Sequence, residues 1–208
     1  MRLMERDRQI LSCLSKFSFL LGRQLKSLFF DGTRACDRRL RILLDNEYIK
    51  REKILYGIPS LYSLSHKGKT AVNASIKENK IRVEQIQHDI AVVDTVIYFM
   101  DRFHIPFADI TAERQLHQLD GFGVRKHQPD FIFSKDKKIY CVEVELSLKA
   151  KVRLEKIIET NFLSYDHQLW IVPDNQFKIL QILNKNKNKY PIKILSLERE
   201  VQTYVKHN

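Results

Sequence analysis

The sequence is poor in cysteine, and the cysteines it has are not paired. Cys13, Cys36 and Cys141 are odd in number and widely separated, with no C-x-x-C pair to hold zinc or run redox chemistry. They fit reduced, partly buried filler positions in a reducing cytoplasm. Long apolar runs are missing too: none approaches the roughly 18 uninterrupted residues that a membrane-spanning helix needs. No export signal is visible, because Met1–Gln9 is already rich in charge and Lys16, Arg23 and Lys26 break the apolar stretch that follows. There is no internal repeat, and the one biased tract is the basic "NKNKNKY". A cytoplasmic protein with no membrane partner is expected. Acidic residues are in deficit, 25 against 36 basic ones, for a net charge of +11. Such a field attracts polyanions, nucleic acid first and an anionic membrane surface second. What is present, 44% hydrophobic and 29% charged residues over 208 positions, excludes disorder throughout and suffices for one large core or two small ones.

In the first third, Ile10, Leu11, Leu14 and Phe17 fall at helical spacing between Arg8 and Phe19. "LGRQLKSLFF", Leu21 to Phe30, fits a second short helix. Asp31-Gly32 is a turn, and Thr33 is placed to cap a third helix whose inward face is Leu40, Leu43 and Leu44. Tyr48-Ile49-Lys50 and Ile54-Leu55-Tyr56 are strand material, Gly57–Ser60 is a turn and Leu61–Leu64 is a return strand. Ser65 caps a further helix. Three helices and a hairpin make a winged helix-turn-helix. Its third helix offers Arg34, Arg38, Arg39 and Arg41 away from the apolar stripe, suited to reading guanine in the major groove or clamping phosphates of double-stranded DNA. The wing turn is short of basic residues, although Arg51 and Lys53 flank it. The polar stretch Ala74–Glu84 marks the boundary, so the domains are expected at 1–78 and 85–208.

The second part opens with Ile86, Ile90, Val93, Ile97 and Met100 at helical spacing. An extended piece follows around Ile110–Leu116. Then come strands at Pro129–Phe133 and Lys138–Leu146 joined by a turn at Lys135-Asp136-Lys137, a helix at Leu148–Asn161, a strand at Leu169–Val172, a helix at Asn175–Asn184 and a strand at Ile192–Leu197. The fold class is α+β with a mixed sheet.

Within it, "YCVEVELSLKAK" carries the chemistry. Strand side chains alternate faces, so Glu143 and Glu145 share one face and Val142, Val144 and Leu146 the other. With Asp130 on the adjacent strand of the hairpin, three acids converge, and a hard divalent cation, Mg²⁺ or Mn²⁺, would relieve their repulsion. Such an ion activates water and stabilises charge on a phosphate. The plain alternative is a half-exposed strand that shows its charges to water. An acidic cluster in a strongly basic, DNA-binding chain favours the metal.

Pro129-Asp130 followed by Glu143-x-Glu145, in an αβββαβ order, resembles the PD-(D/E)xK core of restriction-endonuclease-like proteins. Glu145 stands where that motif has lysine, so either Lys149 or Lys151 reaches in from the following helix or the site works without it. Glu113 matches an extra acid found in some members. The longer series "RDRQIL", "RRLRILLDNEYIKR", "QHDIAVVD", "PDFIF" and "VEVELSLK" resembles the replication-relaxation family, which includes MobC-type relaxases. The resemblance implies a metal-dependent protein that nicks DNA at a transfer or replication origin. Asp130, Glu143 and Glu145 would then be metal ligands, and Glu113 and Lys149 catalytic partners. His88 and Asp94 match family positions without a derivable role. The competing expectation is an inactive DNA-binding accessory protein of mobilisation or replication, its second domain serving in a homodimer or against other mobilisation proteins. A third is a transposase-type endonuclease subunit. Tyr140 and Tyr165 are the tyrosines near the acids in sequence, should cleavage be covalent.

Overall fold

A computed structural model describes residues 2–74, 81–120 and 126–207. The chain is α+β, with a small antiparallel sheet and a mixed five-stranded sheet. It divides into two compact units, Met1–Val93 and Asp94–Asn208.

In the first unit, helix α1 (Glu5–Phe17) buries the expected stripe of Ile10, Leu11, Leu14 and Phe17, and with it Asp7. The apolar triplet Phe19–Leu21 then forms a buried strand, β1, where the apolar spacing suggests the end of one helix at Phe19 and the start of the next at Leu21. Helices α2 (Gly22–Phe29) and α3 (Thr33–Asp45) follow. The N-cap of α3 is Gly32, not Thr33, and it has no side-chain cap. Strands β2 (Ile49–Glu52) and β3 (Leu61–Leu64) complete an antiparallel sheet in the order β1-β3-β2, with Leu20 and Arg51 both opposite Tyr62. Ile54-Leu55-Tyr56 lies outside the strands. Helix α4 (His66–Ala71) starts as anticipated, the Ser65 hydroxyl accepting from the Gly68 N–H at 3.0 Å. Gly68 is required there because a Cβ would lie 2.0 Å from the Tyr48 carbonyl oxygen. Part of the polar stretch 74–84, residues 75–80, falls outside the described residues. The first turns of α5 (Ile86–Arg102) belong to this unit, with Ile86 packed among Phe19, Leu21 and Leu61.

The second unit takes the rest of α5 and then β4 (Ile110–Ala112), α6 (Glu113–Asp120), β5 (Phe131–Lys135), β6 (Lys138–Val144), α7 (Lys151–Ser164), β7 (His167–Val172), α8 (Phe177–Asn186) and β8 (Ile192–Ser196). A π-helical turn at Leu197–Gln202 leads into α9 (Thr203–His207). The extended piece expected at 110–116 is a three-residue strand that gives way to α6. The sheet runs β4-β5-β6-β7-β8, antiparallel through β6 and parallel beyond it. The β5–β6 turn has Asp136 and Lys137 at φ 51° and 61°, the left-handed pair that a two-residue hairpin needs to match strand twist. Both faces are covered. Trp170 and Val172 pack on α7 and α8 through Leu154, Ile157, Ile158, Ile179 and Leu183, while Phe131 and Phe133 meet Phe99 of α5. Among the described residues no helix is long and apolar enough to cross a membrane, and all three cysteines are buried free thiols.

Candidate active site and nucleic-acid face

The two-residue turn sets the register that brings the acids together. Phe131 is opposite Val142, so the same register continued by one residue sets Asp130 opposite Glu143. The Asp130 carboxylate ties the strand ends by accepting from the Val144 N–H at 2.6 Å. On its other side Glu143 is paired with Trp170, and alternation therefore points it toward the face covered by α7 and α8. Glu145 continues the ladder through its N–H to the Ile171 carbonyl at 2.9 Å. Both glutamates are only 4% exposed. This overturns the half-exposed strand as an account of E-x-E, because charges that merely face water are not buried.

Buried carboxylates need partners, and the chain supplies them from two loops and a helix. Glu143 Oε1 receives His127 Nε2 at 2.6 Å and the Asn161 amide at 2.8 Å. Glu145 is paired with Lys149 Nζ at 2.6 Å. Burial pushes the Glu143 carboxyl up from its ordinary value, the His127 bond opposes this and the Asp130 charge adds to it. For His127, burial works against the imidazolium, but the bond to Glu143 and its charge prevail and the pKa is raised. Charge effects of both Lys149 and Asp130 reach His127. Asp130, Glu143, Glu145, His127 and Lys149 therefore form one electrostatic cluster at the end of β5 and β6.

Of the residues singled out in the sequence, Asp130, Glu143, Glu145 and Lys149 are brought together. Lys149 comes from the loop before α7 and not from the helix itself, and Lys151 turns away to Glu155 at 3.9 Å. Glu113 adjoins Asp130 by its backbone, its N–H donating to the Asp130 carbonyl at 2.8 Å, while its side chain lies 3.5 Å from His117. Tyr140 sits on the opposite face from Glu143 by alternation and stacks between Phe133 and His167. Tyr165 is close, but burial pushes its phenol up to about 12 and its hydroxyl donates to Gln128 Oε1 at 3.2 Å. His88 meets Asp89 at 3.5 Å and Asp94 is buried in α5. Sequence reasoning missed His127 and Asn161. His127 stands three residues before Asp130, and Asn161 extends the Leu154–Ile158 stripe of α7 by one turn.

Among the described residues no group of three or more His, Cys, Asp or Glu side chains is spaced to hold a metal ion. The donor chemistry nevertheless fits a hard cation, since Mg²⁺-type ions commonly take only one or two carboxylates from the protein and the remainder from water and substrate. Asn161 Oδ1 supports the fit: it is buried and has no hydrogen-bond partner among the described residues.

In the first unit, Arg34, Arg38 and Arg41 are exposed on α3 and, at about 100° per residue, lie on one stripe. Arg39 departs from expectation. It binds the buried Asp7 carboxylate through Nε, 2.6 Å from Oδ1, and through a second bond from its terminal nitrogen to Oδ2. That places it on the same inward side as Cys36 and Leu43, so it joins α3 to α1 and is not a surface cation. In the β2–β3 connection, Arg51, Lys53 and Tyr56 are exposed, with Lys53 Nζ 6.0 Å from the Tyr56 ring. No family model, curated protein or solved structure matches this chain.

Proposed function

We propose that the chain is a metal-dependent, site-specific DNA-nicking protein, with a winged helix in the first unit that reads double-stranded DNA and a restriction-endonuclease-like second unit that cuts it. The burial of Glu143 and Glu145 beside Asp130, with a lysine led in to meet them, carries this reading. Such a cluster is costly to fold and is justified by chemistry more readily than by stability. An Mg²⁺ or Mn²⁺ ion held by Asp130 and Glu143 would supply Lewis-acid charge for attack of water on a phosphodiester. Glu145 fixes Lys149, which takes the place of the motif lysine and offers positive charge to the phosphate. Tyr165, with its raised pKa and its hydroxyl engaged by Gln128, is a poor nucleophile, so the reading is hydrolytic. Arg34, Arg38 and Arg41 supply sequence reading or phosphate anchoring, which a carboxylate cluster cannot provide.

A second reading, a DNA-binding accessory protein, is favoured by the pairing of Glu143 with His127 and of Glu145 with Lys149, which already compensates both buried charges within the chain. Supercoiled DNA carrying candidate origin sequences separates the two. Conversion to open circle only with Mg²⁺ or Mn²⁺ is expected of the nicking protein, whereas tight binding without conversion in either ion supports the accessory.

A further inference from the structure

The α7 stripe that packs on the sheet runs Leu154, Ile157, Ile158 and then Asn161, and all four are buried. An apolar residue at 161 would continue that core, yet the chain places an amide there that is 1% exposed. Its Nδ2 donates to Glu143 Oε1 at 2.8 Å, and His127 Nε2 lies 2.6 Å from the same oxygen. Two contacts from different elements on one oxygen fix the plane of the carboxylate, and neither falls on Oε2. The other end of the amide, Oδ1, is buried without a hydrogen-bond partner among the described residues. A buried polar atom of this kind is rare in native proteins and points to a water or an ion as its ligand.

We propose that Asn161 is a positioning residue of the nicking site: it turns Glu143 Oε2 toward the metal position and offers its own Oδ1 to the ion or to the ion's water. This rests on the metal-dependent reading above. Groups that orient a metal ligand typically change affinity by about 10–100-fold when removed, and taking a donor away from a buried carboxylate lowers stability.

The test is Mn²⁺ binding to the full chain by calorimetry and electron paramagnetic resonance, with Tm measured in parallel, for wild type, Asn161→Leu and Asn161→Asp. Asn161→Leu is expected to lower Tm without metal, because Glu143 Oε1 loses one of its two described partners, and to weaken Mn²⁺ by about 10–100-fold. Asn161→Asp keeps the size and an oxygen at the Oδ1 position but sets a second carboxylate against Glu143. It is expected to lose stability without metal and to gain more from Mn²⁺ than wild type does. Wild-type Mn²⁺ affinity in Asn161→Leu, or no added response in Asn161→Asp, overturns the assignment alone. Absence of Mn²⁺ binding by wild type overturns both the assignment and the metal-dependent reading.

Discussion

Replacing Arg39 by alanine tests whether an arginine in the proposed DNA-reading helix is in fact structural. Asp7 has no exposed side-chain surface and Arg39 retains 16%. Without the guanidinium, the one remaining donor described for the Asp7 carboxylate is the Met4 N–H at 2.7 Å. Breaking a buried ion pair from one side costs about 3–5 kcal/mol, because the other charge stays buried and uncompensated. The partial exposure of Arg39 lets water reach the vacated position and places the loss near the lower limit, about 3 kcal/mol. For a chain of this size that lowers Tm by roughly 6–12 °C. The exposed neighbour Arg38, changed to alanine, should alter stability by less than about 0.5 kcal/mol. Urea denaturation followed by circular dichroism compares the two, and Asp7→Ala with the Asp7→Ala/Arg39→Ala double variant gives the coupling. Strong non-additivity is expected, since the second substitution removes the orphaned charge left by the first. DNA binding should separate them in the opposite sense: Arg38→Ala reduces the salt slope by about one, whereas folded Arg39→Ala leaves it unchanged. Equal stability of the two single variants, together with additive energies, would refute the reasoning.

Gly68→Ala should destabilise the first unit by about 3 kcal/mol, the upper range for overpacking, because the new methyl meets the Tyr48 carbonyl and not a side chain that can move; thermal melting checks this, and a neutral result contradicts the close approach. Glu143→Gln should abolish any rise in Tm with Mn²⁺, and a rise equal to that of wild type contradicts the metal reading. The pH response follows from two raised pKa values. Folded Glu143 and His127 hold protons more tightly than the unfolded chain, whose reference values are 4.5 and 6.5. Their contribution is therefore fully present below those values and is lost as pH rises through the folded ones. Stability measured across this range should fall with pH, and His127→Gln should flatten the part above 6.5; an upward slope in wild type that the variant shares would contradict the assignment.

Where one periodicity governed a long segment, the elements were legible. The α1 stripe, the Ser65 cap and the hairpin around Asp136 all follow from local rules. Phe19–Leu21 was not legible as β1, because a three-residue apolar strand directly after an amphipathic helix continues the helical pattern. The short β4 merged with α6 for a similar reason. At the site, the proximity of Asp130 and Glu143 could be read from a hairpin with a two-residue turn. The burial of Glu143 and Glu145 could not, since it depends on α7 closing over that face. Asn161 and His127 join through long-range packing that one sequence does not display. Arg39 was misjudged although a signal existed: it lies three residues after Cys36 and four before Leu43, on the inward stripe. Its partner Asp7, in another helix, completes the explanation.

The most direct test of the central claim is strand nicking by Asp130→Ala beside wild type, on the same supercoiled DNA with Mn²⁺ and with DNA binding measured in parallel. The account predicts that wild type yields open circles and that Asp130→Ala yields none while binding the DNA with unchanged affinity. Equal nicking by the variant, or no nicking by wild type that binds tightly, would contradict it.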